Sequence, residues 1–179
     1  MSILIYAESA EGKIKKVALE LASYAKKVAT SMGTTVTAVT INNTDNSALA
    51  AYGVDKVLTV TNDKLNNFSA KAYADVIVQA AKKEGTQVVL VSSSTNSLYL
   101  APLVAVALEA GYVSNVVALP ESTAPFQVKR TVFSNKAFNI TEIATPVKVL
   151  GIAKNSFGLV ESAATWAEES VAPSLNDAD

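Results

Sequence analysis

Six hydroxyl or amide side chains stand in a row at Ser92-Ser93-Ser94-Thr95-Asn96-Ser97, directly after the apolar run Val88-Val89-Leu90-Val91. A loop of this kind can hydrogen-bond a phosphate or a ribose. Its hydroxyls can equally cap a following helix and satisfy the last amides of a strand. The loop carries no charge, no glycine and no histidine. Phosphate sites draw on glycines for close backbone approach or on a cation for charge, so capping is the favoured reading. Glu8 follows Ile3-Leu4-Ile5-Tyr6-Ala7 and is the one carboxylate at a strand's carboxyl edge in the first half of the chain. It can accept from a ribose hydroxyl or cap the turn into the first helix.

Most other chemistry is excluded by what the chain lacks. With no cysteine and no histidine there is no disulfide, no thiolate nucleophile and no Cys/His zinc site. The commonest general base is missing too, which disfavours hydrolytic and proton-transfer catalysis. Paired carboxylates, a Walker sequence and Gly-x-Gly-x-x-Gly are all absent. The sequence therefore offers no catalytic, cofactor-binding or metal-ligating residue.

The elements that position Glu8 and the serine loop alternate regularly. Ile3–Ala7 reads as a buried strand. From Ile14 the apolar residues Val17, Ala18, Leu21, Ala22, Ala25, Val28, Ala29 and Met32 form one helical stripe, which Gly33 stops. Lys13, Lys16, Glu20, Lys26 and Lys27 are expected on its solvated face, and Lys15-Lys16 and Lys26-Lys27 read as no more than that. Strands follow at Thr35–Thr40, Val57–Val60, Val88–Val91 and Val113–Leu119. Helices are predicted at Ala48–Tyr52, from Ser69 to Glu84, and along the uncharged run Leu98–Leu108. Lys82-Lys83 suits the last turn of its helix.

A surface helix should show a polar side, which Leu98–Leu108 lacks. Either it is covered on both sides or one face meets another protein. Val104 is expected in the core, while Leu103 is left open between core and interface. Five strand–helix alternations predict a doubly wound, mostly parallel α/β sheet. After Pro120 the stretches Phe126–Thr131 and Lys136–Glu142 alternate as antiparallel strands would, and Val147–Ala153 reads as one more strand. A small antiparallel appendage on a parallel core is expected. Beyond Lys154 there are five acidic residues and no basic one. Residues 158–179 are expected to be an acidic linker or tail, with no strand or helix over 161–179, in which Trp166 is an anchor.

At 179 residues the chain is expected to form one domain, or one domain with a tail. Half the residues are hydrophobic and 17% are charged, a surplus of apolar surface to hide against a partner. Fifteen basic residues against sixteen acidic ones give no field for nucleic acid or an anionic membrane. A first strand at Ile3 leaves no room for a leader, and no uncharged run reaches the roughly 20 apolar residues of a membrane helix. A soluble, cytoplasmic protein is expected.

The order of short motifs resembles the electron-transfer flavoprotein alpha subunit, over roughly Ile3 to Phe157. The opening strand to Ala7-Glu8, Gly12-Lys13-Ile14-Lys15 and Leu19-Glu20 is similar to the family's amino-terminal segment. Tyr52-Gly53-Val54-Asp55-Lys56-Val57 resembles its Tyr-Gly-Ala-Asp-Lys-Val stretch, and Tyr73-Ala74 falls where the family has the same pair. Leu100-Ala101-Pro102 with Val104-Ala105 matches the start of its apolar helix. Lys129-Arg130, Asn135-Lys136-Ala137 and Val149–Phe157 follow in the family's order. The chain departs at Ser97-Leu98-Tyr99 and Leu103, where the family reads Gly-Arg-Asp-Leu-Ala-Pro-Arg, and Lys154 stands where it reads arginine.

The resemblance implies an adenine-nucleotide-hydrolase-like, Rossmann-like fold over residues 1–157. It also implies that the FAD-binding domain is absent, because its Ser-Arg and Gly-Gln-Thr-Gly motifs and its histidine do not occur here. No cofactor is expected in this chain, with FAD belonging to the full-length protein. By the same resemblance the domain is a scaffold that docks the beta subunit. Electrons then pass from flavin dehydrogenases through the complete heterodimer, so the domain is part of an electron carrier and not an enzyme. The alternative is an adenine-nucleotide sensor resembling universal stress proteins, whose Gly-x2-Gly-x9-Gly-[Ser/Thr] run has no counterpart after Ser92.

Overall fold

The computed structural model describes residues 2–175; residues 176–179, which close the acidic segment, lie outside them. The chain runs through β1 (Ser2–Tyr6), a short ladder of β2 (Ser9–Ala10) with β3 (Lys13–Ile14), α1 (Lys16–Met32), β4 (Thr35–Ile41) and β5 (Lys56–Val60). It continues through α2 (Ala70–Glu84), β6 (Val88–Ser92), α3 (Thr95–Ala107), β7 (Gly111–Val116), β8 (Ser122–Thr123), β9 (Phe126–Val132) and β10 (Ala137–Glu142). It ends with β11 (Lys148–Ile152) and β12 (Ala167–Ser170). The main sheet has the order β10-β9-β7-β11-β6-β1-β4-β5-β12, with β8 beside β9.

Two cores sandwich this sheet because each central strand buries both of its faces. Ile3, Ile5, Val88, Leu90 and Leu150 point to the α1 side, where Leu21, Tyr24 and Val28 meet them. Leu4, Val89 and Val149 point to the other side, against Ile77 of α2 and Leu100 and Val104 of α3. Each such aliphatic side chain contributes about 1.5–3 kcal/mol on burial. The helices stop where glycine permits a left-handed turn. Gly33 and Gly85 have φ of 64° and 58°, and the amides after them, Thr34 and Thr86, bond back to Ala29 and Ala81. The Tyr52–Val57 motif ties α1 to the sheet, since the Asp55 carboxylate accepts from Lys26 Nζ at 3.0 Å and from the Val36 amide at 2.9 Å.

The doubly wound, mostly parallel sheet is as expected, with β9 and β10 forming the antiparallel part. Three local expectations are corrected. Val147–Ala153 is no member of the appendage: β11 returns to the middle of the sheet and runs parallel between β6 and β7. Val149 packs on the α2/α3 side and Leu150 and Ile152 on the α1 side, so the strand buries both faces as a central parallel strand does. The helix expected over Ala48–Tyr52 is a 3₁₀ turn at Ser47–Ala51. Finally, residues 161–175 were expected to hold no strand, yet β12 adds to β5 in parallel at the sheet edge. Its Glu169 pairs with Lys56 at 2.9 Å and with Lys83, and Trp166 packs against the α1-side core.

α3 resolves the two options for its uncharged face. Leu100, Ala101, Val104 and Ala105 are buried, while Leu98, Tyr99, Leu103 and Val106 face outward, Val106 with 79% of its surface exposed. The helix is apolar all round but covered on one side only. No helix among the described residues is long and apolar enough to cross a membrane.

Candidate functional site

From β1 the chain winds one way to β4 and β5, and after α2 it winds the other way to β6 and beyond. That reversal puts a crevice between the carboxyl ends of β1 and β6, the place where open α/β sheets bind ligands. The two features singled out by the sequence meet there. Glu8 lies two residues past β1 and is 3% exposed. Its Oε1 accepts from the hydroxyl of Ser92, the last residue of β6, and from that of Ser97 in the first turn of α3 at 3.1 Å. Lys15, just ahead of α1, places its Nζ 3.4 Å from Oε2.

The loop's hydroxyls also cap, as expected. Ser94 Oγ accepts from the Ser97 amide at 3.1 Å and donates to Ser97 Oγ, whose own hydroxyl hydrogen is donated to Glu8. The rest of the loop stays apart: Thr95 is exposed, and Ser93 turns its buried Oγ away from any partner among the described residues. Ser93 instead borders an open cleft of about 580 Å³ with Asn115, Phe138 and Lys154. Burial pushes the Glu8 carboxyl up, but the hydroxyls of Ser92, Ser94 and Ser97 and the Lys15 ammonium more than offset it. Its net direction is below the usual carboxylate range. A general acid needs the opposite shift. The arrangement holds a fixed, desolvated negative charge.

A second buried carboxylate escaped the sequence reading. Glu20, expected on the solvated face of α1, is 6% exposed and points into the loop after β11. Its Oε2 accepts from the Asn155 amide at 2.9 Å, and its Oε1 from the amides of Phe157 at 2.9 Å and Gly158 at 3.0 Å. Burial raises this carboxyl while the loop amides, Gly158 first, bring it below its ordinary value. The signal available was the turn Asn155-Ser156-Phe157-Gly158, whose ends both adopt positive φ. Backbone donors leave no other mark on a sequence.

Elsewhere, no group of three or more acidic residues among those described stands close enough to hold a metal ion. Apart from α3, exposed apolar side chains gather on the β9–β10 hairpin at Phe133, Phe138 and Ile140.

Comparison with known proteins identifies the family. The sequence pattern of the electron transfer flavoprotein domain matches residues 3–176. Among curated relatives, the electron transfer flavoprotein subunit alpha of Thermoanaerobacterium thermosaccharolyticum is 34% identical over 120 residues, 65% of this chain and 36% of the relative. That of Clostridium acetobutylicum is 30% identical over 120 residues, with the same coverage. That of Bacillus subtilis is 25% identical over 179 residues, 98% of this chain and 55% of the relative. The chain thus spans between about a third and about half of these relatives, in their amino-terminal part. By its sequence, this chain belongs to the electron transfer flavoprotein domain family, on the alpha-subunit side.

Proposed function

We propose that this domain is the scaffold of an alpha-type electron transfer flavoprotein subunit, acting in the cytoplasm by docking a beta subunit. Electron transfer from flavin dehydrogenases would then run through FAD held by a domain outside these 179 residues. The observation that carries the reading is the outward face of α3. Leu98, Tyr99, Leu103 and Val106 form a stripe without a charge on a helix already packed on its other side. Exposed apolar stripes of this kind on soluble domains mark contacts with other proteins. The relatives' names support the same direction, since they are subunits of assemblies, including the LctC subunit of an NAD+- and ferredoxin-linked lactate dehydrogenase in Acetobacterium woodii.

The Glu8 crevice does not suit FAD. Its pyrophosphate would meet the buried Glu8 charge at the crevice where this fold takes ligands, and the donors there are already engaged. No electron-transfer step is assigned to a residue of this chain.

Leu103→Asp tests the docking. Leu103 is 44% exposed, so the substitution should move stability by no more than about 0.5 kcal/mol. Titrated with a purified electron transfer flavoprotein beta subunit, it should lose about tenfold or more in affinity. Unchanged affinity, or no association even by the parent chain, would remove the scaffold reading. Saturable ATP binding by the parent chain would favour the sensor.

A further inference from the structure

Ser92, Ser97 and Lys15 converge on one carboxylate at the crevice, with Ser94 behind Ser97. Ser92, Ser94 and Ser97 are all buried, two of them donate directly to Glu8, and the third donates to Ser97. Lys15 supplies the cation. Hydroxyls backed by an ammonium are what a phosphoryl group would recruit at the carboxyl edge of such a sheet.

We propose that Glu8 is a resident anion that closes the crevice to phosphate, an autoinhibitory contact within the domain. Its carboxylate takes the hydrogen bonds a phosphoryl oxygen would take, and its charge repels a second anion at a buried point. Lys15, 41% exposed at its side chain, is the cation at hand, and Glu8 already pairs with it. Tyr6 is the titratable neighbour along β1, Lys15 leads into α1, and β6 and the start of α3 contribute only hydroxyls. The crevice therefore reads as a ligand site filled from within rather than one never formed. This inference stands whether or not a beta subunit docks, because Glu8, Ser92 and Ser97 are buried whereas the docking stripe is the exposed side of α3.

The test uses the full chain and two probes, inorganic phosphate and AMP, followed by calorimetry. The parent chain should bind neither saturably. Glu8→Ala removes the anion and leaves its donors, and should bind phosphate at least about tenfold more tightly than the parent. Adding Ser97→Ala or Lys15→Ala to that variant should take the gain back. AMP bound more tightly than inorganic phosphate would identify a nucleotide as the excluded class; equal affinity would identify the free anion. A folded Glu8→Ala chain with no gain, or a gain indifferent to Ser97 and Lys15, overturns the proposal. Glu8→Ser, which returns one hydroxyl to the network, serves the same comparison if the alanine variant does not fold. Independently, carbon NMR of the parent's glutamate carboxyls should find Glu8 ionised throughout neutral pH, and a protonated Glu8 there would end the proposal.

Discussion

Glu8 and Glu20 make a controlled pair. Both are buried carboxylates at the carboxyl edge of one sheet, both are held below the usual range, and both outweigh the penalty of burial by accepting hydrogen bonds. They differ in the nature of the donor. Glu8 is met by serine hydroxyls and one lysine, Glu20 by three backbone amides of a single turn. A hydroxyl rotates and can accept as well as donate, whereas an amide N–H only donates. The Glu8 site can therefore adapt to a changed partner, and the Glu20 site cannot. The first is a set of side chains, the second a shape of the main chain.

The largest effect expected from that difference comes from replacing each carboxylate by its amide. In Glu20→Gln the new NH2 group must face an N–H in at least one position, leaving a buried donor unmatched. That should cost about 2 kcal/mol of stability. In Glu8→Gln the amide oxygen keeps Ser92 and Ser97 while the NH2 group takes the Lys15 side, where the lysine can swing outward. The cost should be about 0.5 kcal/mol. Urea unfolding of both variants gives the comparison directly. Equal losses, or a larger one at Glu8, would show that donor type does not separate the two sites.

Acid should reveal the same asymmetry with a smaller amplitude between variants. Both folded carboxyls lie below the ordinary value of 4.5, so their contribution is complete above that value and is lost as pH falls through the depressed folded values. A protonated Glu8 can still donate to a serine that turns to accept. A protonated Glu20 meets only donors and must abandon one. The acid loss should therefore be carried mainly by Glu20, so the Glu20→Gln chain should change less than the Glu8→Gln chain between about pH 7 and about pH 3, below the ordinary carboxylate value. Urea midpoints at the two pH values measure it, and parallel curves for the two variants would refute the assignment.

The same distinction explains how much could be read in advance. The parallel sheet, its buried strands and the glycine stops at Gly33 and Gly85 are written in local pattern, and they appear where the pattern puts them. Glu8 and the serine loop were legible as residue types, and the winding of the sheet brings them together. Glu20 looked like one more charge on a lysine-rich helix because its partners are amides 135 to 138 residues away. β12 was invisible for a related reason. Ala167-Glu168-Glu169-Ser170 has no apolar alternation, and what fixes it is pairing with β5 and the ammonium groups of Lys83 and Lys56, which hold the Glu169 carboxyl down to about 2. On α3 the expectation of Val104 in the core holds, while Leu103 was left open and proves exposed, since a run without charge carries little mark of orientation. Long-range main-chain partners and uniform faces are what a single sequence conceals.

The smallest expected effect isolates the cation at Glu8. Lys15 is the one partner of either carboxylate that carries a full charge, and a count of charges would rank it first. Geometry ranks it last. Its side chain is 41% exposed and its Nζ stands 3.4 Å from Oε2, so water and salt screen most of the attraction. The serine hydroxyls act on the other oxygen from inside the fold. Lys15→Ala should therefore cost about 0.5 kcal/mol or less, and that cost should shrink further in high salt. Ser97→Ala, which strips a buried donor and breaks the relay from Ser94, should cost about 1 kcal/mol and should not respond to salt. Urea unfolding at low and high ionic strength separates the two. If Lys15→Ala proves the more damaging, Glu8 is held by charge rather than by hydroxyls, and its contrast with the amide-held Glu20 becomes one of cation against dipole.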